Sequence, residues 1–364
     1  MLGLRCGRQR LVEIRYNIIH MLDADTEPDG LRCYSRLYLL FRRHLPMSGG
    51  GGMAGKRFRI PQVHNTPDQL ERELKFLPPH PALPVVHLNR QVNPLHENGQ
   101  SLIEAFIRQF RGRLLGLVIH DRAEMASHIP EVVSAMRKVT AAGGRSGGPL
   151  VFLEYAAGME PGIFVELAQQ LAEIDDASVC IDIGHIGIRE SRRRLKDMHP
   201  ALDLGTLRRE TGRAPELISD IQRATRSSLE VVLDMIRSLG STGKPLHFHL
   251  HDGHPLLPGL ADHYSFLIRL PTPVAWKGRY SLEPMYGLHG LTQVLAAMAR
   301  NCPFDRSSIT LEIHQSEGRL PLGNAARLFA HWVDLTNAER MNYWLSVLSD
   351  NYTIATTILD SIYT

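Results

Sequence analysis

Eight short apolar runs recur along this chain, at 11–19, 56–61, 83–89, 114–120, 149–155, 178–184, 245–251 and 308–314. Amphipathic stretches separate several of them, such as "SLIEAFIRQFRGR" (101–113), "IPEVVSAMRKVTAA" (129–142) and "GIFVELAQQLAEI" (162–174). Strands that are apolar on both faces need cover on both faces, and intervening helices supply it. That alternation is the signature of βαβ units and a parallel sheet. Eight such strands in 364 residues predict an α/β fold, a (β/α)8 TIM barrel forming a single domain over 1–364. An open doubly wound sheet is the alternative, but no Gly-rich strand-to-helix turn of the dinucleotide-binding type is present.

The start of the barrel is the least regular part. Residues 31–46 read as helix or strand, and "MSGGGGMAGK" (47–56) reads as a flexible loop. Two later segments exceed ordinary connections. An Arg-rich stretch over 186–230 is expected as an insertion after the sixth strand, and 252–290 as a long loop. Residues 323–362 read as closing helix.

Composition narrows the setting. No apolar run reaches the ~20 residues that span a bilayer. The N-terminus carries charges where a signal peptide needs its apolar core. Cys6, Cys33, Cys180 and Cys302 are scattered without a CxxC pair, which suits reduced thiols rather than a disulfide framework. A soluble, cytoplasmic protein with no membrane partner is therefore expected. The net charge of +3 allows a phosphate-bearing partner without arguing for one.

Chemistry collects at the strand ends. "VFLEY" ends in Glu154, "CIDIGH" gives Asp182 and His185, "HFHLHD" gives His249, and "TLEIH" gives Glu312. In a barrel these ends converge on one face, where active sites are built. A carboxylate at a buried strand end is costly unless paired or metal-bound. Two Glu, one Asp and one His suit Mn²⁺, Mg²⁺, Co²⁺ or Zn²⁺ in a site with open positions. Residues two apart share a face of a strand, so His247, His249 and His251 are expected to point together into the barrel. Of these, His249 is the expected ligand, with His247 and His251 behind it. His87, His120, Asp262 and His263 are further candidates that would widen a one-ion site to two or three ions.

This pattern resembles the xylose-isomerase-like barrels, which include sugar isomerases, ketose 3-epimerases and endonuclease IV. The resemblance rests on Glu154, Asp182 with His185 three residues on, His249 and Glu312. "FLEYAAG", "CIDIGH" and "HLHD" resemble the corresponding text of endonuclease IV. His87 and His120 fall where that nuclease has further zinc ligands. Asp262 and His263 fall near another ligand pair, though adjacent here where the nuclease has one residue between them.

The resemblance implies a metal-dependent isomerase or epimerase of a sugar, sugar phosphate or polyol. In that reading Glu154 and Glu312 trade a proton, and His185 binds a substrate oxygen. The alternative it implies is an endonuclease IV-like zinc phosphodiesterase acting on abasic DNA. A barrel that binds a metabolite without chemistry is a third reading. One bound ion accords with the first, three zinc ions with the second and none with the third.

Overall fold

In a computed structural model of the chain, the described residues are 13–16, 63–64, 66–76, 83, 85–144, 148–202, 214–254, 266, 283–303, 307–311 and short pieces of 354–361. They contain eight strands: β1 (Glu13–Tyr16), β2 (Val63–His64), β3 (Val85–Leu88), β4 (Gly116–His120), β5 (Leu150–Glu154), β6 (Ala177–Asp182), β7 (His247–Leu250) and β8 (Ser308–Leu311). Every ladder between them is parallel. The spatial order is β1-β8-β7-β6-β5-β4-β3-β2. β1 and β2 end that order, and among the described residues no ladder joins them. The second strand lies at 63–64, later than the expected 56–61, which is outside the described residues.

Helices cross between the strands: α1 (Pro67–Phe76), α2 (Glu97–Gln109), α3 (Ile129–Thr140), α4 (Pro161–Leu171), α5 (Ile183–Met198), α6 (Ala214–Gly240) and α7 (Gly287–Asn301). Pro130 near the start of α3 and Pro161 at the start of α4 suit the first turn, where a backbone N–H has no helical partner anyway.

The stretch 186–230 differs from the expected insertion. Asp182 ends β6 and at once caps α5, accepting from the backbone N–H of His185 at 2.8 Å. The first part of the Arg-rich text, to Met198, is therefore the body of α5, whose Ile183, Ile186, Ile188 and Leu195 are buried, while 203–213 lies outside the described residues. α5 packs against α6, and the pair leads to β7. Most of the loop expected over 252–290 lies outside the described residues, and α7 begins within that span, after its N-cap Tyr286.

The strands sort their side chains by period two. Val86, Leu88, Leu117, Ile119, Val151, Leu153, Val179, Ile181, Phe248 and Leu250 face the helices. There they meet Ile103, Phe106, Val132, Met136, Phe164 and Leu167. Burying each such side chain is worth roughly 1.5–3 kcal/mol. The alternate positions form a separate small apolar layer of Val85, Val118, Phe152 and Cys180. Continuing along that inner face toward the strand ends, the apolar layer gives way to His87, His120, Glu154, Asp182 and His249, at 120, 154 and 182 in the last residue of the strand.

Candidate metal centre

Glu154 stands at the middle of this inner face, 1% exposed. Its register neighbours are His120 on β4 and Cys180 on β6. Its two oxygens serve different partners. Oε2 lies 2.8 Å from Nε2 of His87 and 3.6 Å from Nε2 of His120. Oε1 lies 2.7 Å from Nδ1 of His249. Burial pushes this carboxyl up. The positive charges of His249, His87 and His120 outweigh that and hold it well below its ordinary value.

Asp182 is fully buried and makes a second such node. Its Oδ1 accepts the cap hydrogen bond and lies 2.9 Å from Nε2 of His251. Its Oδ2 lies 3.6 Å from Nε2 of His185 and 3.8 Å from Nδ1 of His249, with no hydrogen-bond partner. Burial would raise this carboxyl, but the charges of His185 and His251, with the His249 and His251 rings facing it, hold it far below the usual range.

Two sets of donor atoms result. His87, Glu154 and His249 offer three ligand atoms within 4.8 Å of one another, and so do Asp182, His185 and His251. The residues fit a metal. A carboxylate oxygen in full burial with no donor is what a cation would satisfy, and mixed imidazole and carboxylate donors suit Zn²⁺, Mn²⁺ or Co²⁺. Within the first set Glu154 turns Oε2 to His87 and Oε1 to His249.

The structure thus brings together Glu154, Asp182, His185, His249, His87 and His120. Glu312, Asp262 and His263 lie outside the described residues. Glu312 immediately follows β8. His247, expected behind His249, points inward as well and is held by Ser308 Oγ at 2.7 Å from its Nδ1.

His251 takes a larger part than expected, because its ring sits against Asp182. It fits there because position 184 is glycine: a Cβ on Gly184 would meet the His251 ring at 1.8 Å. Residues 120–121 and 251–252 also repeat one signal, a strand end followed by His-Asp. In each pair the histidine faces the mouth and the aspartate turns to backbone. Asp121 accepts from the N–H groups of Ala156, Gly158 and Met159 at 2.8, 2.9 and 3.1 Å. Asp252 accepts from Gly253, Tyr286 and Gly287 at 2.8, 3.2 and 2.8 Å. The first fixes the loop after Glu154, where Ala157 sits at φ 63° and its carbonyl accepts from Arg189. The second fixes the start of α7.

No protein-family profile matches the chain, and no curated protein sequence does. Among solved structures, a modular endo-beta-1,4-mannanase from Cellulomonas fimi is similar at 11% identity and a TM-score of 0.25, over 70% of this chain and 65% of that one. The chain therefore spans less than two thirds of the mannanase's length, and a likeness at this level carries no argument about fold or activity. Among the described residues no helix is long and apolar enough to cross a membrane.

Proposed function

We propose that this chain is a divalent-metal-dependent enzyme, its sheet closed as a (β/α)8 barrel, with at least two ions bridged by Glu154 at the mouth, and that it hydrolyses a phosphate ester. One observation carries this reading: the two oxygens of Glu154 face two different imidazole sets, His87 with His120 and His249 beside Asp182. A shared carboxylate between two donor sets suits a pair of ions, and paired ions suit in-line displacement at phosphorus. When bound, the ions would supply an activated hydroxide and neutralise charge at the phosphate.

The chain's own residues divide the remaining work. His87 and His120 with Oε2 would hold one ion, and His249 and Asp182 with Oε1 the other. The resemblance adds Glu312 to the second, and His185 with Asp262 and His263 to a third. Glu154 and Asp182 stay ionised at neutral pH because imidazoles face them, so both are ready as anionic ligands. Arg122 follows the His120-Asp121 pair and its guanidinium donates to the carbonyl of Arg90.

A single-ion isomerase or epimerase of a sugar or polyol is the second reading. His185 favours it, since its ring is partly exposed beside Asp182, as a residue binding a substrate oxygen needs to be. The test is an assay of purified protein with zinc or manganese against bis(p-nitrophenyl) phosphate, an abasic-site duplex and a panel of ketoses. The expected result is phosphodiester cleavage that a chelator stops and that Glu154→Gln abolishes. Epimerisation without cleavage would replace the first reading with the second. Neither activity, with metal bound, would contradict both.

A further inference from the structure

Beneath that centre lies a third donor set, Cys180, His247 and His249, all buried, which shares His249 with the centre above and adds two residues, Cys180 and His247, that the phosphate-ester reading does not use. Cys180 and His247 are register partners on β6 and β7, and His249 is the next residue on the same face of β7. Their ligand atoms lie within 4.8 Å of one another. An ion held at about 2.0–2.3 Å from each of three donors needs those donors about 3.3–4.0 Å apart, so closing by up to about 1.5 Å completes the site.

We propose that Cys180, His247 and His249 form an inner site for a thiophilic d10 cation, zinc or monovalent copper, distinct from the carboxylate-rich centre above it. Three features carry this. The donors are one sulfur and two nitrogens with no carboxylate, a soft set that selects copper(I) or zinc over magnesium, calcium or manganese. His249 has Nδ1 turned to Glu154 and Asp182, while its ring is also in hydrogen-bond reach of Cys180, so one imidazole spans both levels. His247 is oriented by Ser308, 2.7 Å from Nδ1, and its Nε2 makes a longer contact of 3.3 Å to Thr310 Oγ1. That supporting shell fixes the ring as metal-binding histidines commonly are. On binding, the thiol proton leaves to solvent and the sulfur ligates as thiolate; when an ion also sits on His249 Nδ1, that imidazole releases its remaining N–H proton to solvent and ligates through both nitrogens, with no change in oxidation state. The ion reaches the site from the mouth, past His249.

Cobalt(II) is the probe, since a thiolate–cobalt bond gives a charge-transfer band in the near ultraviolet that imidazole and carboxylate ligands do not. Metal-free full-length protein is titrated with Co²⁺ under anaerobic conditions. The band is expected in the native protein, is expected to persist in Glu154→Gln, and is expected to vanish in Cys180→Ser and Cys180→Ala. Both Cys180 variants should still bind cobalt at the outer centre, with one ion fewer per chain, and circular dichroism identifies a variant that has not folded. No charge-transfer band in the native protein at saturating cobalt would overturn the proposal. So would a band that survives both Cys180 substitutions, which would place the sulfur ligand at another cysteine. The proposed function fails separately, if Glu154→Gln loses no bound ion.

Discussion

Among the described residues four buried carboxylates sit at the ends of β4 to β7, and they divide into two kinds. Asp121 and Asp252 face backbone N–H groups, three each, and tie loops in place. Burial pushes each of them up to about 6 despite those donors. Glu154 and Asp182 face imidazoles, and histidine charge draws both far down. All four are removed from water to a similar degree, so the partner decides the charge state. A carboxylate held by neutral amides is structural. One held by imidazoles is in a borrowed arrangement, because a cation can replace the imidazole protons that face it and take both carboxylate and imidazole as ligands.

The contrast can be broken first at Glu154. Glu154→Gln keeps the shape and removes the bridging charge. Zinc affinity by calorimetry is expected to fall by about 100-fold or more, beyond the ~10–100-fold seen for residues that only support a ligand. Asp121→Ala is expected to do the opposite, leaving zinc affinity nearly unchanged. It strands the N–H groups of Ala156, Gly158 and Met159, and urea unfolding should show a loss of about 2–4 kcal/mol.

A pH series on metal-free protein separates the two kinds by sign. Asp121 and Asp252 bind protons more tightly folded than unfolded. Their contribution is therefore full below the ordinary 3.8 and is lost as pH rises through about 6. For each this is on the order of 2–3 kcal/mol. Glu154 and Asp182 contribute above their ordinary values of 4.5 and 3.8 and lose that contribution as pH falls through their lowered folded values. Asp121→Asn with Asp252→Asn should flatten the decline between 3.8 and 6, as read from urea midpoints. The smallest effect is at the loop that Asp121 holds. Ala157 has φ 63°, a region that favours glycine, so Ala157→Gly should raise stability by about 0.5–1 kcal/mol in thermal unfolding.

How much of this was legible in the sequence depends on the range of the interaction. The alternation in "HFHLH" placed His247, His249 and His251 on one inner face, because strand period is a local property. The carboxylates at the ends of β5 and β6 were legible for the same reason. The helix within the Arg-rich text after Asp182 is hard to read because its charges hide an apolar stripe of Ile183, Ile186, Ile188 and Leu195. Asp182 as a helix cap was the available signal. The roles of Asp121 and Asp252 depend on backbone N–H groups 35–38 and 1–35 residues away, which no local pattern records. The recurrence of His-Asp after two strands was the trace they left. The position of the His251 ring depends on the missing side chain of Gly184 on the neighbouring element, a contact that only folding creates.

The central claim is that Glu154 bridges two cations, and anomalous diffraction at the zinc edge from crystals grown with zinc tests it most directly. Two peaks are expected on either side of Glu154, one against His87 and His120 and the other against His249 and Asp182. A single peak, or none within bonding distance of either Glu154 oxygen, would contradict it.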